Sequence, residues 1–405
     1  VSELVVQKFG GSSVSSPELR EIAASRVLDA RRRGADVVVV VSAMGRAPDP
    51  YATDTLLGLI GPVRGGPNRD LLLAVGEMIS AAVFAELLCS LGAPAQAMTG
   101  GQAGILTDDN FADARILSVD PAPIRALLAK GVIPVVTGFQ GKSRDGAVTT
   151  LGRGGSDLTG VALGDALDAT SVDIYTDVSG VMTADPRRVA GAGTVPHVTS
   201  AEMVELAGNG AKVMHHKAAE LAHATDTPYA VKGLRTDVGT LVDDDGGIDP
   251  DRPVTGITAL RNVAFFRVIL GLADDGGRAA LDRELFDRLA AADVSIDMIN
   301  VNDAGVFFVC DMENTDRVKA ELGDLNLALR MRPNCAKLSI VGAGMRGTPG
   351  VMARVVRAVV ESDVEIIHST DSNITISVLV PDDDAVKAEQ ALHDFFALGR
   401  QTATP

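Results

Sequence analysis

AVTTLGRGGSD, residues 147–157, ends a short β-rich run and opens a helical one. Gly152, Gly154 and Gly155 lie between the two with Arg153 among them, and Ser156 and Asp157 follow. Glycines at a strand-to-helix turn let backbone N–H groups approach an anion, and the helix start adds partial positive charge. A guanidinium in such a loop can grip a carboxylate through two hydrogen bonds. The turn reads as a place where a small acid is held beside something phosphorylated. A glycine-rich surface turn with a solvated arginine fits the same letters, so the rest of the chain has to decide.

Toward the N-terminus a second corner of the same kind appears. Residues 4–7 are apolar and run into KFGGSS, residues 8–13. Ser16-Pro17 supplies an N-cap and a first-turn proline, Leu19, Ile22, Ala23 and Val27 recur on one helical face, and Gly34 ends that helix. Strand, lysine, Gly10-Gly11, the Ser12 and Ser13 hydroxyls, then helix make a phosphate cradle with Lys8 as its cation. The lysine precedes the glycines, which separates it from a Walker A loop. A plain β–α turn with a surface lysine is the alternative. Residues 36–41 read as a buried strand with SAMG, residues 42–45, at its carboxyl end. Ligands collect at such ends in open α/β sheets, so Ser42 is well placed. A polar loop, 46–52, precedes a helix at Thr53-Asp54. The next helix is expected to carry Gly76-Glu77 at its start; Glu77 there could take a ligand's ammonium group or simply favour its helix N-terminus.

Toward the C-terminus the expected elements are a helix at 158–167 and a strand at 172–175 running into Thr176-Asp177, with Asp185-Pro186-Arg187 just beyond. Thr199 and Glu202 fit a capping box, Gly210-Ala211-Lys212 opens a further helical run, and 229–231 and 240–242 read as closing strands. Alternating β and α elements predict a mainly parallel sheet covered on both faces. Residues 243–253 are acidic and rich in Gly and Pro, the best linker in the chain. Beyond them the order β-α-β-β-α occurs from 262 and recurs from 337, an internal repeat of roughly 75 residues in the size range of small α+β units. Its second copy is expected to place strands at 337–341, 364–367 and 374–380. GAGMRG, residues 342–347, fits G-x-G-x-x-G with Glu365 about twenty residues on. The unit is too short and its next strand enters a hairpin, so a dinucleotide site is rejected.

At 405 residues the chain is expected to hold two or three domains. Scarce aromatics and no Trp suit a core of parallel strands and Ala-rich helices. A net charge of −16 argues against nucleic acid or an anionic membrane as partner, while a cationic pocket can still sit in an acidic surface. Cys89, Cys310 and Cys335 are far apart and read as reduced thiols of a cytoplasmic protein. Neither a signal peptide nor a membrane span is expected.

Taken together, KFGGSS (8–13), SAMG (42–45), Gly76-Glu77, TTLGRGGSD (149–157), YTDVSGV (175–181), ADPR (184–187) and GAKVMH (210–215) resemble the aspartate kinase family in order and spacing. The tail repeats resemble its paired ACT domains; CAKLSIVGAGM, TPGVMA and HSTDSNITISVLV are most similar to the diaminopimelate-responsive type of Gram-positive bacteria. The resemblance implies an α/β, three-layer amino-acid-kinase fold with a mainly parallel sheet over 1–245, a linker at 246–255, and two α+β, ferredoxin-like ACT domains at 256–333 and 334–405. It implies phosphoryl transfer from ATP to the β-carboxylate of L-aspartate, feedback control by lysine, threonine or diaminopimelate, and a homodimer or larger assembly through the ACT domains.

By motif position, Lys8 would bridge the transferring phosphoryl, and Gly10, Gly11 and Ser12 would wrap the phosphates. Arg153 would clamp a carboxylate of aspartate, with Ser42 and Ser156 as donors and Glu77 facing the ammonium group. Asp157 would organise the lysine or the metal–phosphate cluster. Thr176, Asp177, Arg187 and Lys212 would hold the nucleotide, and Mg²⁺ would arrive with ATP, bound largely through phosphates and water. Asp275, Asn302, Ser369 and Asp371 are the effector candidates. The chain departs from the family pattern where SAMG-D-T-T-D is stretched to SAMG-RAPDPYA-T-D, which leaves Thr53 as counterpart of the substrate threonine. Met182 replaces a tyrosine of the nucleotide loop, and Asp275 to Arg278 replace an Asp-x-Pro-Gly turn. A relative acting on another acid such as glutamate, or a non-catalytic amino-acid-sensing subunit, are the competing readings.

Overall fold

The computed structural model describes residues 3–61, 65–244, 252–269, 275–325 and 328–399. The chain folds as two compact units, Val1–Val181 with Thr194–Gly247, and Met182–Gly193 with Ile248–Pro405. The first unit runs β1 (Leu4–Phe9), α1 (Pro17–Arg32), β2 (Asp36–Val41), α2 (Thr53–Gly58), α3 (Pro67–Ser90), β3 (Ala95–Met98), β4 (Ile105–Thr107), β5 (Ile116–Val119), α4 (Ala122–Leu128) and β6 (Ile133–Thr137). It continues through β7 (Gln140–Lys142), β8 (Val148–Thr150), α5 (Gly155–Leu167), β9 (Ser171–Thr176), β10 (His197–Val198), α6 (Ser200–Gly208), α7 (His216–Ala224), β11 (Tyr229–Gly233) and β12 (Gly239–Val242). The main sheet has the order β10-β12-β11-β9-β1-β2-β6-β3 and is parallel except where β12 returns antiparallel to β11.

Strands buried on both faces need apolar side chains throughout, and DVVVVV of β2 is buried from its second residue on. Alternation along the strands then sorts side chains between two helical layers. Phe9, Val39, Val41, Val135 and Tyr175 pack with Ala23 and Val27 of α1 and Phe84 and Leu88 of α3. Full burial of a side chain such as Phe84 contributes about 2 kcal/mol. Lys8, one position before Phe9, faces the other layer, against Gly160 of α5. A smaller sheet, β5-β4-β7-β8, leads through β8 into the glycine turn before α5.

Local rules hold where the chemistry is local. Ser16 accepts the Leu19 N–H, Pro17 opens α1, and Gly34 has φ +93°. Thr199 and Glu202 form the full capping box on α6. Two helix starts differ from expectation. Helix α3 begins at Pro67, so Gly76-Glu77 lies within it; Gly76 is there because a Cβ would stand 2.7 Å from the Tyr51 carbonyl and 2.9 Å from Ala43 Cβ. Helix α7 begins at His216, which leaves Lys212 in the loop after α6. Among the described residues one helix, Pro67–Ser90, is long and apolar enough to cross a membrane; half of its apolar window is buried in the protein.

The second unit contains β13 (Gly256–Ile269), α8 (Asp275–Ala291), β14 (Asp297–Asn302), β15 (Gly305–Asp311), α9 (Thr315–Leu322), β16 (Ala328–Val341), α10 (Val351–Glu361), β17 (His368–Asp371), β18 (Thr375–Pro381) and α11 (Ala385–Phe395). The repeat is present, but its copies share one six-stranded sheet, β14-β15-β13-β16-β18-β17. Strands β13 and β16 are long antiparallel neighbours, and each serves two cores. Ala264, Phe266 and Val268 pack with Leu285, Leu289 and Val318, whereas Val254 and Ile257 pack with Val355, Val359 and Leu392 of the second copy. The register shifts between the two halves, where Asn262 and Asn334 both adopt left-handed φ, 61° and 54°, a conformation asparagine tolerates.

The expected strand at 364–367 forms instead at His368–Asp371. Val364 is buried in the core under α10, and the chain pairs with β18 only from Ile367 onward. Residues 245–251 of the expected linker lie outside the described residues, and Val254 beyond them is core. Gly342 of the rejected glycine motif meets Pro253 and Val254 backbone so closely that a Cβ would stand 2.0 Å from the Pro253 carbonyl. Chain packing accounts for that glycine. Residues 182–193 belong to this unit: the Thr183 carbonyl accepts the Ile257 N–H at 2.8 Å, and its hydroxyl lies 3.0 Å from His393 Nε2.

Candidate active site

Three β–α corners of the first unit are tied together by their own backbones. Gly10 N–H donates to the Tyr175 carbonyl at 3.3 Å, Ser42 N–H to Phe9 at 3.1 Å, and Gly45 N–H to Gly11 at 3.0 Å. Gly11 tolerates no side chain, since a Cβ would lie 2.6 Å from the Ala43 carbonyl and 2.9 Å from that of Gly45. The carboxyl ends of β1, β2 and β9 thus form one surface, at the point where strand order departs to either side of β1.

At its centre Lys8 Nζ lies 2.5 Å from Asp157 Oδ1, each side chain about nine-tenths buried. Strand parity sends Lys8 to the α5 layer, and Asp157 in the first turn of α5 meets it. Gly154, at φ +72°, allows the turn into α5; a Cβ there would stand 2.0 Å from the His215 ring. Burial holds His215 below the ordinary histidine pKa, leaving it neutral beside this corner. Ser156 is buried against Gly138 at the end of β6. Arg153 is exposed and, among the described residues, has no hydrogen-bond or ion-pair partner.

Asp70 is a positioning residue that sequence reasoning missed. Fully buried in α3, its Oδ2 accepts the N–H of Thr150 at 2.7 Å and of Ala112 at 3.0 Å. It anchors the end of β8 from which the glycine turn departs. Glu77, 2% exposed, accepts the Ala43 N–H on Oε1 at 3.1 Å, while Oε2 has no hydrogen-bond partner among the described residues. Desolvation pushes its pKa up to about 8. A buried carboxylate with one free oxygen suits an incoming ammonium group, which would restore its charge.

Thr176 donates to Asp177 Oδ1 at 3.1 Å, and Asp177 pairs with Arg46 at 3.0 Å. Both residues of that corner, with Ser12, Ser13 and Ser179, line a cavity of about 360 Å³. Thr53 opens α2, partly buried, and Lys212 is exposed in its loop. Arg187 lies in the second unit, where Asp185 takes its Nε and Nη2 at 3.0 and 2.9 Å; these hydrogen bonds hold the Asp185 pKa at about 2. Asn302 ends β14 with its amide engaged by Asn300 and Ala304, and Ser369 and Asp371 lie on β17. These are the two opposite edge strands of the six-stranded sheet. Asp275 opens α8, and its side chain lies outside the described residues.

Residues 3–233 match the amino acid kinase family, and residues 338–396 match the ACT domain. The sequence is 41% identical over 407 residues to aspartokinase 1 of Bacillus subtilis (strain 168), covering 98% of this chain and 100% of that relative. The chain belongs to the aspartokinase family. As an aspartokinase it is an ATP-dependent aspartate kinase with an attached ACT regulatory region. Among solved structures, E. coli aspartokinase III in complex with aspartate and ADP (R-state) is 25% identical, with a TM-score of 0.75 over 97% of this chain and 99% of that one. The same enzyme in complex with lysine and aspartate (T-state) gives 26% and 0.76 over the same shares. The amino-acid-kinase and ACT folds expected for this aspartokinase are thereby borne out.

Proposed function

We propose that this aspartokinase transfers the γ-phosphoryl group at the joined corners of β1, β2, β9 and α5, and that the buried Lys8–Asp157 pair carries the step. A β-carboxylate oxygen of L-aspartate forms a bond to the γ-phosphorus as the bond from that phosphorus to the β–γ bridging oxygen breaks, giving 4-phospho-L-aspartate and ADP. The attacking carboxylate is already ionised near neutral pH, so no general base is needed. What remains is to bring one anion onto another and to stabilise charge spread over a loose transition state.

Lys8 supplies the central cation, and Asp157 fixes its ammonium in one position. Backbone N–H groups of Gly10, Gly11 and Ser12 take phosphate oxygens. The uncommitted guanidinium of Arg153 takes a carboxylate of aspartate, with Ser42 and Ser156 as further donors, Thr53 beside them, and Glu77 on the ammonium. Thr176, Asp177 and Lys212 hold the nucleotide. Mg²⁺ brought in with ATP would neutralise phosphate charge; the oxygen donors of Asp157 are of the hard type it prefers.

The ADP-bound relative supports the nucleotide, and the lysine-bound one supports an amino-acid effector. Asn302, Ser369, Asp371 and Asp275 are the residues we assign to it, with a homodimer formed through the ACT strands and a cytoplasmic location. The test is a hydroxamate-coupled assay with aspartate or glutamate, run with and without lysine, threonine and diaminopimelate. We expect turnover with aspartate alone and inhibition by one of the three effectors. Arg153→Ala should raise KM for aspartate at least about tenfold with a smaller change in kcat. Absence of aspartate-dependent ADP formation would overturn the reading.

A further inference from the structure

The loop that opens after Gly45 carries a cation to the nucleotide side of the site. Arg46 Nη2 lies 3.0 Å from Asp177 Oδ2, with the two side chains 74% and 53% exposed. The base of that side chain is fixed. Arg46 N–H donates to Asp49 Oδ2 at 3.1 Å, and its carbonyl accepts the Asp49 N–H at 2.7 Å. Gly45, at φ +81°, is bonded to Gly11 as described, so Arg46 leaves directly from the phosphate-cradle backbone. Its partner Asp177 lines the 360 Å³ cavity together with Ser12, Ser13 and Thr176.

An exposed ion pair of this kind contributes only about 0–1 kcal/mol. A polyphosphate carries more charge and offers the guanidinium a two-pronged contact, so it outcompetes a solvated carboxylate. We propose that Arg46 is a further nucleotide-binding residue, whose guanidinium moves from Asp177 to the phosphates of the bound nucleotide. The exchange screens Asp177 in the empty enzyme and frees its carboxylate when the nucleotide is seated. It rests on the reading that the β1 and β9 corners hold the nucleotide. The stretched loop thereby gains a role, because its first residue adds a cation beyond Lys8.

Calorimetric titration of ADP and adenosine into wild type, Arg46→Gln and Thr176→Ala tests this. Arg46 is on the surface, so its variant should fold, and the thermal melt checks that it does. We expect Arg46→Gln to weaken ADP about tenfold, to leave adenosine unchanged and to flatten the salt dependence of ADP binding. Wild-type ADP affinity in Arg46→Gln, with ADP weakened in Thr176→Ala, overturns the role of Arg46 alone. Unchanged ADP affinity in both variants overturns the nucleotide reading and this inference with it. A raised KM for aspartate with unchanged ADP affinity would also overturn the proposal, assigning Arg46 to the acid instead.

Discussion

Among the described residues of the first unit, buried hydroxyls of Ser13, Thr137 and Thr150 and the Oε2 of Glu77 lack hydrogen-bond partners, and they lie at or beside the carboxyl ends of β1, β6, β8 and β2. The second unit pairs many of its charges with one another, between strand and loop or along a helix: Arg261 with Asp382 at 2.6 Å, Arg332 with Glu365 at 2.8 Å, and Arg288 with Glu284 within α8 at 2.7 Å. A buried polar atom without a partner costs about 1–3 kcal/mol, a cost that persists where a ligand later supplies the partner. A solvated ion pair stabilises little and mainly fixes geometry. Thr258 Oγ1, Asp282 Oδ1 and His368 Nε2 are nevertheless buried without hydrogen-bond partners among the described residues, and so is the carboxylate of Glu389 on α11. Glu389 is fully buried, 3.9 Å from Arg188, and burial raises its pKa, which favours the neutral form.

The strongest way to break this contrast is at Lys8. Lys8→Ala removes the charge on which the proposed site has both reactants converge; kcat should fall at least about a hundredfold, and the melting temperature should drop as well because Asp157 is left buried without its partner. Asp157→Asn should do the same through the loss of its partner. Near-normal turnover in both would mean that the paired, buried ions of the first unit are structural, like those of the second.

Asp70→Ala comes next. It strips the acceptor from the Thr150 and Ala112 N–H groups and should cost about 2–4 kcal/mol in urea unfolding. Arg153 and Asp157 sit on the turn that Asp70 anchors, so KM for aspartate should rise as well. An unchanged urea midpoint would remove Asp70 from the site's support.

Glu77 sharpens the contrast by pH. Its carboxyl is largely protonated at neutral pH because its pKa lies near 8, and bound ammonium favours the ionised form. If Glu77 receives the ammonium of aspartate as proposed, binding should release a proton, and KM for aspartate should fall by up to about tenfold per pH unit as pH rises toward 8. Stability runs the other way. A raised carboxyl pKa favours the fold most below the ordinary 4.5 and loses that contribution as pH climbs through about 8. Glu77→Gln should flatten both slopes; a KM profile identical to wild type would exclude Glu77 from the ammonium site.

The corners were legible because their chemistry is local. KFGG, the Ser16 cap and the Thr199–Glu202 box each announce themselves within six residues. Asp70 was not legible: it looks like an ordinary first-turn carboxylate, and the N–H groups it binds lie 42 and 80 residues away. The Arg46–Asp177 pair spans 131 residues and is equally silent. In the tail, periodicity found the repeat but cut β13 and β16 short. Apolar spacing cannot say that one strand passes from one core to the next, and only the left-handed Asn262 and Asn334 mark the crossing. The grouping of residues 182–193 with the second unit depends on contacts of Thr183 and Ala190 with α11, about 200 residues on.

The smallest expected effect lies on the second unit's side of the contrast. Arg261 grips Asp382 through Nε and Nη2, and those hydrogen bonds hold the Asp382 carboxyl below its ordinary 3.8. The pair is partly solvated, so its Coulomb gain is mostly screened, and Arg261→Met should cost no more than about 1 kcal/mol at neutral pH. A depressed carboxyl pKa contributes stability above the unfolded value and loses it as pH falls through the folded one. The difference between wild type and variant in urea unfolding should accordingly shrink below the ordinary value of 3.8. A difference that persists undiminished in acid would mean that the arginine stem, packed on the sheet, supplies the stability rather than the ion pair. In that case the second unit would be held by apolar contact even where its charges touch, and the unpaired groups of the first unit would stand out more sharply as those kept for a ligand.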